Sequence, residues 1–593
     1  MASTEHKEAP LQSFVYDALP QADCDIRLLD LEWCEVKKIL RGSLNAVGLA
    51  MDVGYETLSY TWNGETPSVP IMCNGKTLLI TQSLNLALET LCKLSSPRRL
   101  WVDAICINQA DDHEKAQQIP LMHLIYFSSN QVIVWLGTST EATDRAMDMA
   151  MTLLEGLKTI REPNLEDYAP ILEKLGLPIQ GDLIWEGLGD LVSRRWHARL
   201  WTLQEFVSAR KATVYCGSKS VDAEILKSLF SELGRTGLNF EILAKEDTRA
   251  SGYTSFERFD YSILVFATYM ARRRECSEPV DKIYAIRALC NPLESVRVDY
   301  TKASRKQYWK LYIEVGHLLL QEEPSLLALG SICTSSRCPE LPSWCTDFNS
   351  VPLRHPIWDG LGAGGPAFEE SVPPHVASSW DKRRIYLRGF AVDSFVQISD
   401  PFPDLELETQ WSKRWFAHIL EWLQHCLDSF APYTKQDGDR SNDPSEAFLR
   451  GIFCAETDMS RSDLLELTQQ YRLAILALEF GIHDRFLGKG GLESLLDINH
   501  AMTTINHIRT ACPHRLFGVT AQGRLGLAPK ELRDKDLLCV FRGAAVPFVL
   551  RPLDDSDTYE LIGEAYVHGF MHGELFQDGR FQDDAGSTVF EVV

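Results

Sequence analysis

The chain has 593 residues and a net charge of -23, with 45% hydrophobic and 24% charged residues. That length allows more than one hydrophobic core, and the balance is that of an ordinary globular protein. No basic stripe accompanies the acidic surplus, so binding of nucleic acid through phosphate contacts is excluded as a leading role.

The N-terminal stretch MASTEHKEAPLQSF is polar and lacks the apolar segment of a secretory signal. No apolar run is long enough to span a membrane. The 15 cysteines are scattered and form no Cys-x-x-Cys pair. Both points lead us to expect a reduced, cytoplasmic chain with cysteines serving as small core residues.

YETLSYTWN (55–63) predicts a strand, because aromatic and β-favouring residues dominate it. IMCNGKTLLI (71–80) places Asn74-Gly75 between apolar runs, the signature of a hairpin. Residues 81–94 have helical periodicity, with Thr81 or Ser83 as cap. LWVDAICI (100–107) reads as a strand buried on both faces. Residues 111–129 read as a helix kinked at Pro120, 131–137 as another buried strand, and 141–160 as a long amphipathic helix. An irregular stretch leads to a helix at 200–209 and a strand at 211–217.

Strands alternating with helices predict a mostly parallel sheet flanked by helices, which binds ligands at the carboxyl ends of its strands. Beyond it, residues 301–510 read as mostly helical, with amphipathic segments at 303–322, 411–430 and 461–480 and a mobile loop at 432–446. Residues 511–593 read as a small antiparallel β unit, with strands at 536–553 and 558–569 joined by the acidic turn DDSD. The domains expected are therefore 1–300, 301–510 and 511–593.

Some motifs carry no chemistry. GLGAGGP (360–366) fits G-x-G-x-x-G in letters alone, since no strand precedes it and prolines follow. His568 and His572 have the spacing of a zinc pair, but Gly569 and Gly573 oppose the helix that spacing needs. No metal site or resident cofactor is expected.

Other residues are candidates. Asp103 sits inside an apolar run, so it must be paired or lie near a strand end. Asn108 and Gln109 begin the loop that follows. In LWTLQEFVSA (200–209), Trp201 and Glu205 are four apart and share a helix face, with Gln204 beside the acid. Glu205 is either a charge paired with Arg194, Arg195 or Arg199, or a carboxylate in an aromatic-walled pocket.

The blocks YETLSYTWNG, LWVDAICINQADDHEKAQQIPLMHLIYFSSNQVIVWLG and RRWHARLWTLQEFVSARKATVYCG occur in order and resemble the HET domain of fungal heterokaryon incompatibility proteins. DKIYAI (281–286), VDYTK (298–302), LPSWCTDF (341–348) and the segments after 515 resemble its larger, stand-alone members. Two segments depart from the pattern: Asn63 stands where the family usually has Gly, and Arg287-Ala288 where Leu-Gly is common.

The resemblance implies a fungal protein of non-self recognition and programmed cell death. Its partners would be incompatible allelic or non-allelic proteins, with self-association among the possibilities. The HET domain is itself similar to the TIR fold, which is flavodoxin-like. On that likeness 55–62, 100–107, 131–136 and 212–216 are the first four strands, and Glu205 matches the glutamate of TIR enzymes that cleave NAD. The implied substrate contacts are Tyr60, Trp62, Asp103, Asn108, Gln109, Arg199, Trp201 and Gln204, with NAD as substrate. Two other readings stay open: a HET-like enzyme recruited to secondary metabolism and acting on a small organic substrate, and a non-enzymatic signalling scaffold.

Overall fold

In a computed structural model of the chain, the described residues are 12–51, 53–160, 172–179, 182–236, 263–322, 326–330, 332, 337–352, 357, 376–379, 381–402, 512–553, 557–571, 573–577, 586–593 and isolated positions between 418 and 429. They divide into two compact units. One holds the described residues up to 236 together with 273–306; the other holds 263–272 and those from 307 onward.

The first unit is built on a nine-stranded sheet. Its strands are β1 (Asp25–Cys34), β2 (Ile39–Gly48), β3 (Glu56–Ser59), β4 (Val69–Cys73), β5 (Lys76–Ile80), β6 (Arg98–Trp101), β7 (Gln131–Trp135), β8 (Ala212–Cys216) and β9 (Lys219–Asp222). Their order is β5-β4-β2-β1-β6-β3-β7-β8-β9. Its helices up to residue 236 are α1 (Gln82–Leu94), α2 (Asp103–Cys106), α3 (Asp112–Gln118), α4 (Met122–Ser128), α5 (Glu141–Lys158), α6 (Leu183–Ser193), α7 (Trp201–Val207) and α8 (Ala223–Thr236), and 273–306 adds the short helices Asp281–Tyr284 and Lys302–Lys306.

The sheet is mixed rather than mostly parallel. The four central strands β6-β3-β7-β8 run parallel. On one flank β1 pairs antiparallel with both β6 and β2, and on the other β9 turns back on β8. β1 and β2, a long hairpin ahead of the first expected strand, are therefore an addition to the sheet.

Several expectations meet their physical reasons here. The Asn74-Gly75 hairpin forms as β4–β5, and both residues have positive φ, the twist that suits a two-residue hairpin. Thr81 caps α1 by accepting from Leu84 N. Thr140 and Thr143 close a reciprocal capping box on α5. Pro120 lies in a 3-10 turn between α3 and α4, so the expected kinked helix is two helices.

The expected strand 100–107 is corrected. β6 ends at Trp101, and Asp103–Cys106 is a helical turn. A short apolar run does not distinguish a buried strand from a buried turn, and here Ile105 and Cys106 stay buried by turning beneath the sheet edge. A buried ion pair fixes the loop that follows. Arg27 meets Glu114 at 2.6 Å and also donates to Cys106 O and Asp17 O. Both terminal nitrogens of that cation thus have acceptors, as burial of charge demands.

The irregular stretch before 200 contains α6, capped by Asp182 and packed on α5. At the crossing, a Cβ on Gly187 would stand 2.1 Å from the Ala142 carbonyl oxygen.

The second unit holds the helices Leu264–Arg272 and Tyr308–Glu322 and ten strands. These are β10 (Val376–Ser378), β11 (Ile385–Asp393), β12 (Phe395–Pro401), β13 (Arg515–Thr520), β14 (Leu525–Pro529), β15 (Leu537–Phe541), β16 (Phe548–Pro552), β17 (Thr558–Glu564), β18 (Tyr566–Val567) and β19 (Thr588–Val592). β11-β15-β16-β17-β19 closes on itself through the β19–β11 pairing, giving a barrel-like ring. β12-β13-β14-β18 forms a second sheet.

The C-terminal antiparallel unit is thus larger than expected. It takes β10, β11 and β12 from 376–401, splits 536–553 into β15 and β16, and contains one parallel pairing, β17–β19. Inside it Arg515 and Glu564 pair at 2.5 Å, almost wholly buried. His568 and Gly569 form a turn. His572, the 360–366 glycines, the 432–446 loop, the 461–480 helix and most of 411–430 lie outside the described residues. Among the described residues no helix is long and apolar enough to cross a membrane.

Gly187→Ala tests the helix crossing. Alanine gains about 1 kcal/mol of helix propensity, but forcing a methyl into a closed contact costs about 1–3 kcal/mol. The clash with a backbone oxygen wins, so the melting temperature of the first unit should fall by several degrees. An unchanged or raised melting temperature would show that the crossing is looser than described.

Candidate functional site

β3 ends at Ser59, and the chain then runs through Tyr60 and Trp62 into a turn at Asn63-Gly64. Both turn residues have positive φ, at 53° and 68°. Asn tolerates that left-handed conformation better than other non-glycine residues, so Asn63 can occupy the turn without strain. β6 ends beside β3, and the α2 turn presents Asp103. A 3-10 turn at Arg195–Ala198 delivers Arg199, and α7 carries Trp201 and Glu205.

The segment 273–306 returns to this edge. Leu200 N donates to Glu275 O at 2.8 Å and Glu275 N to Ala198 O at 2.6 Å. Arg274 donates to His197 O at 2.7 Å. These bonds bring the short helix Asp281–Tyr284 against α7.

Arg199 organises the centre. Its Nη1 donates to Tyr60 O at 2.5 Å and its Nη2 to Asp103 Oδ2 at 3.2 Å. Nη1 also stands 3.7 Å from Glu205 Oε1. Trp62 Nε1 donates to the same Asp103 oxygen at 3.2 Å, and the guanidinium lies 5.8 Å from the Trp62 ring centre. Gln109 Nε2 donates to Asp103 O at 2.9 Å.

Glu205 is fully buried. Ser59 Oγ donates to its Oε2 at 2.5 Å, and Trp196 Nε1 donates to Ser59 Oγ at 2.8 Å. Its Oε1 accepts no hydrogen bond among the described residues. Burial pushes the carboxyl up to about 7 against the opposing pull of Arg199. His197 is also buried and is pushed down to about 3 by desolvation, so it stays neutral and takes no part in proton transfer near neutrality.

A cleft of about 580 Å³ opens over this arrangement. Trp62, Asp103, Gln109, Arg199 and Trp201 line it; Glu205, Tyr60, Asn108 and Gln204 do not. Arg199 stands between the cleft and Glu205. Tyr60 contributes its carbonyl to Arg199 and buries its ring. Asn108 holds its own loop, its N–H on Glu114 and its side chain on Ala110 N. Gln204 points away; with its amide turned to suit its neighbours, it donates to Ala285 O and accepts from His123 N, both at 3.1 Å. Of the three arginines weighed as partners for Glu205, Arg194 pairs with Asp190 and Arg195 faces Glu275.

The cleft also contains Asp281, Tyr300 and Lys115, which the sequence did not single out as site residues. Trp201 Nε1 donates to Asp281 Oδ2 at 3.3 Å, and Tyr300 O–H to Asp281 Oδ1 at 2.5 Å. The available signal was that DKIYAI and VDYTK are two of the segments that carry the resemblance; their first Asp and their Tyr are the two residues that meet here.

Comparisons with known proteins agree with the residue-level resemblance. Residues 55–205 match the family described as Heterokaryon incompatibility protein (HET), and 498–584 match the Het-6 beta-barrel domain. The chain is 24% identical to "Heterokaryon incompatibility protein 6, OR allele" of Neurospora crassa, over 96% of this chain and 97% of that protein. No solved structure matches. Residues 55–205 thus carry the match to the HET family, and nearly the whole chain is similar to a heterokaryon incompatibility protein.

Proposed function

We propose that the protein is a cytoplasmic effector of fungal incompatibility, and that its HET domain kills by cleaving the nicotinamide–ribose bond of NAD in the Trp62–Trp201 cleft. The observation that carries this reading is a buried carboxylate, Glu205, beside Arg199 beneath an aromatic cleft at the carboxyl ends of parallel strands. The strand order supports it: β6, β3, β7 and β8 are the second, first, third and fourth expected strands, the 2-1-3-4 order of a flavodoxin-like sheet, whose ligands bind at that edge.

The chemistry follows from charge. Breaking the C1′–N bond returns its electrons to the pyridinium ring and leaves positive character on the ribose. A fixed carboxylate stabilises that charge, and water then bonds to C1′ and loses a proton. Trp62 or Trp201 stacks on the nicotinamide. In this reading Arg199 turns toward Asp103 when substrate enters. It has no close hydrogen bond to Glu205 to break.

The cover over Glu205 favours a second reading, in which the Arg199–Glu205 pair is a structural pin and the domain acts as a signalling scaffold.

Glu205→Gln separates the two. The first reading expects nicotinamide release to fall by about a hundredfold or more in a folded protein. Under the second, the wild type releases none and the variant loses melting temperature. Full turnover by folded Glu205→Gln would remove Glu205 from catalysis.

A pH series adds an independent check. Because Glu205 holds its proton more tightly when folded, its contribution to stability is present at low pH and is lost as pH rises through about 7. The wild type should lose melting temperature relative to Glu205→Gln between about pH 5 and about pH 8. A constant difference across that range would mean that Glu205 ionises as freely as in the unfolded chain.

A further inference from the structure

Asp281 is a carboxylate with an unusual set of partners. It lines the cleft yet is only 7% exposed. Each oxygen accepts one hydrogen bond from a neutral donor, Trp201 Nε1 on one side and Tyr300 O–H on the other. Among the described residues no cation pairs with it. Lys115 and Glu278 also line the cleft around it; Lys115 instead lies 5.4 Å from the Tyr300 ring centre and pairs with Asp112. Lys282, on Asp281's own helix, donates to Arg274 O.

A buried carboxylate stays ionised only where donors satisfy it. A carboxylate offers about four acceptor positions; Trp201 and Tyr300 fill two and also fix the plane of the group. The remaining two suit a ligand that brings paired neutral O–H donors. A vicinal diol does so, and a carboxylate is the side chain that α/β folds place on ribose hydroxyls. Trp62 and Trp201, which line the same cleft, supply flat faces for an attached heterocycle.

We infer that Asp281, pinned by Trp201 and Tyr300, is a ribose-diol acceptor and gives the cleft its selectivity for ribonucleotides. This rests on the proposal that the cleft binds NAD, but assigns Asp281 to recognition and leaves charge stabilisation to Glu205.

The test measures binding by calorimetry, so it does not need turnover. AMP and nicotinamide mononucleotide are each compared with the counterpart lacking a diol hydroxyl. In the wild type the deoxy ligand should bind about tenfold more weakly, the effect of one unmade hydrogen bond in a closed site. In Asp281→Asn the ratio should fall to within about twofold. Should that variant not fold, the wild type supplies the same answer. Burial raises Asp281 to about 6, so discrimination should fade as pH drops through that value. The phosphate cancels in the ratio.

Discrimination that survives Asp281→Asn or low pH overturns the inference, as does failure of both ribonucleotides to bind. Nicotinamide release with diol discrimination independent of Asp281 would sink this inference alone. Asp281-dependent discrimination without any NAD cleavage would sink the proposed reaction alone.

Discussion

The guanidinium of Arg199 is the constraint from which the rest of the site follows. It joins the end of β3 through Tyr60 O, the α2 turn through Asp103, and α7 through Glu205. A cation withdrawn this far from water must find compensating charge. Two carboxylates face it, which is one more than neutrality needs. Asp103 lies closer, at 3.2 Å, while Glu205 stands 3.7 Å away and wholly buried, and that burial pushes its carboxyl up to about 7. The raised carboxyl therefore follows first from its depth, against the pull of Arg199, with the neighbouring Asp103 adding to it.

Much of this was legible where local chemistry is strong. Asn74-Gly75, the capped α1 and α5, and β3, β7 and β8 all announce themselves by turn residues, caps or periodicity. β1 and β2 escaped because DIRLLDLEWC mixes charges with leucines, and one of those charges, Arg27, is buried in a pair whose partner lies far along the chain. α6 escaped because Gly187 and Gly189 read as loop; Gly187 is there for close helix packing. The error at 100–107 came from a run of apolar residues that suits a strand and a buried turn equally well.

The site divides in the same way. The i, i+4 relation of Trp201 and Glu205 is local, so it could be read. Gln204, one residue away, is rotated about a quarter turn on the helix and faces elsewhere. Asp281 and Tyr300 meet Trp201 across long stretches of chain, and no spacing in the sequence encodes that meeting. Long-range contacts set which carboxylates share the cleft, and a single sequence shows residue types without showing their company.

The ring in the second unit has a consequence for how the chain is made. β11 and β19 are its closing pair, yet β19 leaves the ribosome after every other strand of the ring. Until it does, β11 carries an open edge along Ile385–Gly389, with unpaired backbone groups ready to accept a foreign strand. Pairings this distant form slowly, because a long loop must close before any contact rewards it. The nine-stranded sheet is complete once residue 222 has emerged, whereas the ring waits for residue 592. Nascent chains of this protein thus pass through a stage in which the first unit can already be folded while the second exposes a sticky edge, and chaperone demand falls on the second.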